Sequence, residues 1–252
     1  KYKGKMTKRQ FLQYANDNIE GVYVPSLTSF EEKDGKITKI NTPHKTKRVF
    51  VRDMDKAYFP DKAIVSNIEL VHDRAVAELF RGCANGCRFC QAGFIYRPVR
   101  ERSVGRMTDI CNGLIANTGY DELSLNSLST GDYSSLKQLI QNLQPLVKGK
   151  NVRIALPSLR LDTFDGEFAE NNRLSSLTFA PEAGTQRLRN VINKNITHEN
   201  ITEGVISAFQ RGFSTVKLYF MLGLPTETLD DIDGICQLAY EIKSLYYKHR
   251  SN

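Results

Sequence analysis

The pattern of apolar and polar positions changes at about residue 74. Beyond it, short apolar runs typical of buried strands alternate with longer segments that repeat at helical spacing. The predicted strands are Ala75–Phe80, Glu122–Leu128, Val152–Leu156, Leu174–Phe179 and Val216–Leu222. The predicted helices are Arg106–Thr118, Ser134–Val147, Thr185–Asn193, Thr197–Arg211 and Thr228–Tyr247. This succession indicates βαβ units and an α/β fold with a parallel sheet, but periodicity does not choose between a barrel and an open sheet.

The first part of the chain, residues 1–73, lacks this alternation. It begins with a predicted amphipathic helix over Lys5–Asn18. Short strand-like pieces at Ile37–Ile40 and Arg48–Arg52 follow, separated by proline and glycine turns. We therefore predict an irregular N-terminal helix and arm over residues 1–73, and an α/β core over residues 74–252.

The composition is that of a globular protein. Hydrophobic residues make up 40% and charged residues 25%, and no apolar run approaches the roughly 20 residues of a membrane span. No secretory signal pattern follows the basic N-terminus, so we expect a cytoplasmic protein with no membrane partner. The net charge of +7 fits either a polyanionic partner such as RNA or a solvated basic surface.

Three of the five cysteines lie in one loop directly after the first predicted strand. Cys83, Cys87 and Cys90 are too close together to pair as disulfides, and clustered thiols in a reducing compartment usually bind metal. Their spacing lets a glycine-containing loop give one thiolate to each of three irons of a cubane cluster, which leaves the fourth iron without one. Two alternatives stay open: a structural zinc site, and a closed cluster completed by Cys111 or Cys236. We interpret these last two as core-facing helical residues.

The run from Arg81 to Ser103 resembles the radical SAM superfamily signature, with Phe89 at the aromatic position before the last cysteine. More narrowly, it is similar to a bacterial family of uncharacterised radical SAM proteins that usually carry an N-terminal cobalamin-binding-like domain. The resemblance implies a partial (β/α)6-type TIM-like barrel with the cluster at the C-terminal end of the first strand. Since we count five strands, it also implies that the chain lacks its last strand and is a fragment of a longer enzyme. No histidine stands in the cobalt-binding pattern, so cobalamin is expected only through a domain outside this chain.

The same resemblance implies that the ends of later strands contact S-adenosylmethionine (SAM). Ser129, Thr130, Gly131 and Asp132 occupy the place of a Gly-Gly-Glu-like segment that binds the methionine amino group, and match it in small size and acidity. Glu182 is expected to accept a hydrogen bond from the ribose, and Arg187 to face the anionic end of SAM. The remaining expected cofactor contacts are Phe89, Ser158, Arg160, Leu222 and Gly223. Helix capping also explains Asp132 and Glu182, while a turn serine and a surface arginine explain Ser158 and Arg160.

The resemblance therefore implies an enzyme in which a reduced [4Fe–4S] cluster cleaves SAM to methionine and a 5′-deoxyadenosyl radical. That radical would modify an unknown substrate, for example in methyl or sulfur transfer, with RNA or a ribosomal component as candidates. An external one-electron reductant such as flavodoxin or ferredoxin would supply the electron. The alternative from another class is a non-catalytic iron–sulfur protein that binds nucleic acid or acts as a sensor.

Overall fold

The structure, a computed structural model, describes residues 4–68, 70–156 and 176–250, and the chain divides into compact units of residues 1–52 and 53–252. The helices are α1 (Lys8–Asn18), α2 (Ala92–Ile95), α3 (Val104–Thr118), α4 (Leu136–Val147), α5 (Gln186–Val191), α6 (His198–Gln210) and α7 (Leu229–His249). The strands are β1 (Ser29–Lys33), β2 (Lys36–Asn41), β3 (Ala75–Glu78), β4 (Phe80–Arg81), β5 (Arg100–Glu101), β6 (Glu122–Asn126), β7 (Arg153–Ala155), β8 (Ser176–Glu182) and β9 (Thr215–Phe220).

Among its described residues, the N-terminal unit contains one capped α-helix, a short 3-10 helix at Pro25–Leu27 and one hairpin. Helix α1 begins with a capping box, in which the Thr7 hydroxyl accepts from the Gln10 backbone N–H and the Gln10 side chain accepts from the Thr7 backbone N–H. Strands β1 and β2 pair antiparallel. The strand-like piece at Ile37–Ile40 is confirmed within β2, whereas the one at Arg48–Arg52 is wrong because those residues form no strand.

The larger unit contains the predicted alternation of strands and helices. Strand β6 pairs in parallel with β3 on one side and β7 on the other, and β8 pairs in parallel with β9. One buried apolar cluster lies between β3, β6, β7 and helices α3 and α4, and another between β8, β9 and helices α6 and α7. The α/β prediction with parallel strands is therefore confirmed. Within the described ranges, these strands do not close into a barrel.

Two features near the first strand were not predicted. The predicted strand Ala75–Phe80 is interrupted, and its last part, β4, pairs antiparallel with β5. The buried Arg102 side chain, 2% exposed, donates to the carbonyls of Met54 and Glu78. These bonds attach the segment that begins the larger unit to the end of β3. The domain boundary at residue 73 stays a prediction.

In the part of the chain that the structure describes, none of the helices combines the length and the hydropathy that crossing a bilayer requires.

Candidate active site

The three clustered cysteines lie in the loop that follows β4, and each is partly buried. Gly82 opens the loop with a φ of +98°, and a Cβ there would lie 2.7 Å from the Pro98 carbonyl oxygen. Only glycine meets both requirements without moving the backbone. A backbone hydrogen bond of 3.0 Å from Cys90 N–H to the Cys87 carbonyl forms a tight turn. The loop therefore presents its thiols from a compact backbone.

Side chains from two other segments hold this loop by its backbone carbonyls. The Arg97 guanidinium donates to the carbonyls of Cys83 and Ala84, each over 3.2 Å. Asn193, which follows α5, donates its amide to the Gly86 carbonyl over 2.9 Å. The Arg88 backbone N–H donates 2.8 Å to the Ile192 carbonyl, again just after α5. The cysteine loop is thus fixed against the segment that follows the fourth predicted strand.

The thiols of this loop fit an iron–sulfur cluster in their chemistry. They are soft ligands on a single turn, and the Asn85 amide donates to Cys83 Sγ over 3.4 Å, as a charged ligand sulfur requires. Among the described residues, no three His, Cys, Asp or Glu side chains lie close enough to share one metal ion. A cubane does not need that arrangement, because each thiolate binds its own iron.

The other two cysteines differ from each other. Cys111 is fully buried in the core, as expected, and burial raises the pKa of its thiol to about 12. Cys236 is exposed on α7, so its interpretation as a core-facing residue is wrong. The reason is its position on the helix: Leu238 and Ile242 form the buried side of α7, and Cys236 lies off that side.

The segment expected to bind the methionine amino group forms a short 3-10 turn, Thr130–Asp132, after β6. Ser129 and Thr130 are buried, and the Thr130 hydroxyl contacts the Ser127 hydroxyl and the Leu125 carbonyl. Asp132 is exposed, and its Oδ2 accepts from the Asn85 amide over 2.7 Å. The N-cap of α4 is Ser135, so Asp132 does not occupy the capping position. The turn brings a carboxylate to the cysteine loop.

Glu182 ends β8 in a left-handed conformation, with a φ of +68°, which is uncommon for a residue with a side chain. Its Oε1 forms an ion pair of 3.2 Å with Lys194 Nζ, and both side chains are only about 15% exposed. Its carbonyl accepts from the Met221 backbone N–H over 2.8 Å, which links it to the end of β9. The N-cap of α5 is Thr185, so Glu182 does not cap that helix. A strained backbone at a strand end is a common feature of functional sites.

Arg187 and the loop after β9 lie together. The Arg187 guanidinium donates to the Thr226 carbonyl over 2.9 Å and to the buried Asp231 carboxylate. Hydrogen bonds from Thr185 and Arg187 hold the pKa of Asp231 well below its usual range. In the loop itself, Leu222 is 70% exposed and the Gly223 backbone N–H donates 2.7 Å to a Glu227 carboxylate oxygen.

The structure thus brings several predicted site residues to one region and adds others. Asn85 links the cysteine loop to Asp132, and Asn193 and Lys194 link it to Glu182. Asn85 stands inside the cysteine motif, so the sequence offered a signal for it. No local pattern in the sequence marked Asn193 or Lys194. Phe89 is 38% exposed on the loop, whereas Ser158 and Arg160 lie outside the described residues.

A three-thiol loop follows the first strands of the larger unit, and carboxylates lie at the ends of later strands, an arrangement typical of an α/β enzyme core. The family model for the radical SAM superfamily matches residues 77–239, more than half of the chain. The chain therefore belongs to the radical SAM superfamily, a family of enzymes.

Comparisons with individual proteins agree with this assignment. The chain is 31% identical over 226 residues to the uncharacterized protein MJ0966 of Methanocaldococcus jannaschii, covering 90% of the chain and 47% of that relative. The chain thus spans about half the length of this curated relative. Among solved structures, the radical SAM methyltransferase TsrM of Kitasatospora setae, with cobalamin and a [4Fe–4S] cluster bound, aligns with a TM-score of 0.54 at 16% identity. The match covers 67% of this chain and 34% of TsrM.

A second solved structure is the cobalamin-dependent SAM radical enzyme OxsB. It aligns with a TM-score of 0.51 at 14% identity, covering 66% of this chain and 26% of OxsB. At such identities the likeness concerns the fold. Together with the parallel strands described above, it confirms the predicted partial TIM-like barrel class.

Proposed function

We propose that this chain binds a [4Fe–4S] cluster through Cys83, Cys87 and Cys90 and uses it with SAM in radical chemistry. The observation that supports this most directly is the set of three partly buried thiols on one loop whose backbone is held from two sides. When bound, the cluster supplies one electron to the sulfonium of SAM, giving methionine and a 5′-deoxyadenosyl radical.

The protein's own groups bind and orient SAM in this proposal. The exposed Asp132 carboxylate would accept from the methionine amino group, and Glu182 would accept from a ribose hydroxyl. Lys194 holds the Glu182 carboxylate in one orientation through their largely buried ion pair. Arg187 would add positive charge near the carboxylate of SAM. These residues raise the rate by placing the reacting bond and limiting water, without acid–base catalysis.

The remaining predicted contacts have smaller roles. Ser129, Thr130 and Gly131 would contribute through backbone groups, because the Thr130 hydroxyl is already bonded inward. Phe89 and Leu222 offer exposed apolar surface, and Gly223 a close backbone approach, for the adenosyl group. Ser158 and Arg160 remain sequence-based predictions of contacts to the ribose or the carboxylate.

The test is anaerobic reconstitution with iron and sulfide, followed by a dithionite assay for 5′-deoxyadenosine. We expect the chain to take up iron and to release this product from SAM. Cys87→Ala should lose both, whereas Cys236→Ala, a matched change at an exposed cysteine, should lose neither. Cluster uptake with no SAM binding or cleavage would favour the non-catalytic sensor instead. Loss of iron in Cys236→Ala or Cys111→Ala would refute the three-thiolate assignment.

For the net reaction we propose methyl transfer, with sulfur transfer as the second candidate. Methyl transfer is supported by the likeness in fold to TsrM, a methyltransferase that binds cobalamin. Cobalamin would be bound by a domain outside these 252 residues, and flavodoxin or ferredoxin in the cytoplasm would supply the electron. Transfer of label from methyl-labelled SAM, in a longer form of the protein supplied with cobalamin, would distinguish the two reactions.

RNA or a ribosomal component is the substrate class suggested by charge. The support is the net charge of +7. RNA binding of this kind should weaken steeply as salt rises, because phosphate contacts release counterions. Undetectable or salt-independent binding would remove RNA as a candidate.

A further inference from the structure

Asn85 lies between the first two cysteines of the loop and contacts two different parts of the site. Its side-chain nitrogen donates to Cys83 Sγ over 3.4 Å and to Asp132 Oδ2 over 2.7 Å. An amide nitrogen carries two hydrogens, so these two acceptors use both of them. The reversed amide would place its oxygen against a carboxylate and a thiolate, neither of which can donate. The two acceptors therefore fix which way the amide points.

The backbone around Asn85 is held on both sides. Arg97 binds the carbonyls of Cys83 and Ala84, and Asn193 binds the carbonyl of Gly86. Gly86 has a φ of +71°, a conformation that few other residues adopt readily. The Asn85 side chain therefore starts from a fixed backbone, and its two hydrogen bonds persist without a large entropy cost.

We propose that Asn85 is a positioning residue that fixes the Cys83 thiolate relative to the Asp132 carboxylate and raises the reduction potential of the cluster. Hydrogen bonds to ligand sulfurs are among the factors that set cluster potentials, because they withdraw electron density and favour the reduced state. The short bond to Asp132 is charge-assisted and holds the amide in place. It also holds the carboxylate where SAM is proposed to bind. This inference rests on the proposed function, since it requires the cluster and SAM at this site.

The test compares Asn85→Leu, which keeps the size of the side chain and removes both hydrogen bonds, with Asn112→Leu on the exposed side of α3. Three quantities are measured: iron per chain, the midpoint potential by a spectroscopic redox titration without SAM, and the SAM Kd. Asn85→Leu should keep its iron, because all three thiols remain. The equilibrium constant for reduction of its cluster should fall about tenfold, which lowers the midpoint potential by about 59 mV for one electron. Its SAM Kd should rise about tenfold, while Asn112→Leu should match the parent.

An unchanged potential and an unchanged SAM Kd in fully loaded Asn85→Leu would overturn the inference. If Asn85→Leu fails to hold iron, Asn85→Gln decides the matter because it retains an amide. Iron retention in Asn85→Gln would then support the role of the hydrogen bonds. Iron loss in both variants would overturn it, since the shape of the loop alone would explain the result. A parent chain that takes up no cluster, or takes it up and binds no SAM, would refute the proposed function instead.

Discussion

Gly184 should not tolerate even one added methyl group, because the backbone of α7 lies directly against it. A Cβ at this position would stand 2.3 Å from Ile235 N, 2.5 Å from the Gly234 carbonyl carbon and 2.8 Å from the Asp231 carbonyl oxygen. Ordinary contact begins at 3.4 Å, so helix and loop would have to separate by about 1 Å. The loop cannot retreat easily, since the buried Arg189 donates to the Gly184 carbonyl over 3.2 Å.

We therefore expect Gly184→Ala to cost about 3 kcal/mol, the upper end of the usual range for overpacking, because every clashing atom belongs to a backbone. In a chain of this size that is a fall in Tm of roughly 6–12 °C. SAM affinity should fall as well, because Glu182, a proposed SAM ligand, lies two residues before Gly184 and would move with it. The measurement is thermal and urea denaturation of the parent and the variant, followed by SAM binding.

The matched control is Gly105→Ala in the first turn of α3. A Cβ there meets nothing within 4 Å, so the substitution should leave stability unchanged or raise it by up to about 1 kcal/mol. If Gly184→Ala were as stable as Gly105→Ala, the close approach of α7 to this loop would be refuted.

Three further predictions concern single groups. At pH 8 an alkylating reagent should label the exposed Cys236 and leave Cys111 unlabelled until the chain unfolds. The reason is that burial shields Cys111 and raises the pKa of its thiol to about 12. Mass spectrometry of the native chain after alkylation checks this. Hydrogen bonds from Thr185 and Arg187 lower the pKa of Asp231, so its stabilising contribution is present above about pH 4 and is lost as the pH falls toward its lower folded value. Acid denaturation of Asp231→Asn should accordingly be shallower below pH 4 than that of the parent, and equal slopes would contradict this. Glu182→Gln should retain iron and lose SAM affinity about tenfold, and equal SAM affinity would exclude Glu182 as a ligand.

The features that the sequence predicted well depend on residues close together in the chain. The alternation of strands and helices follows from local periodicity, and the observed elements lie within a few residues of the predicted ones. The cysteine loop was visible for the same reason, since its spacing and its glycines are contiguous. Even so, the pairing of β4 with β5 was missed, because two-residue strands carry no periodic signal.

The features that the sequence could not predict depend on three-dimensional approach. In the chain, Glu182 precedes α5 and Lys194 follows it, and nothing near either residue in the sequence indicated that they pair. The exposure of Cys236 depends on which side of α7 faces the core, and its neighbours in the chain did not reveal that. For Gly184, the sequence showed only a glycine between Glu182 and Arg187, and the reason for it is the close approach of the α7 backbone.

The way in which the cysteine loop is fastened has an evolutionary consequence. Arg97, Arg88 and Asn193 reach main-chain carbonyls, those of Ala84, Val191 and Gly86. Every amino acid supplies such a carbonyl, so these bonds leave Ala84 and Val191 free to change their side chains, while the donors are not free; Gly86 is restricted only by its positive φ. These contacts therefore leave no paired substitutions for statistical coupling methods to detect. Related enzymes should keep the donors and vary Ala84 and Val191, so the fastening would be visible in their structures and not in their covariation.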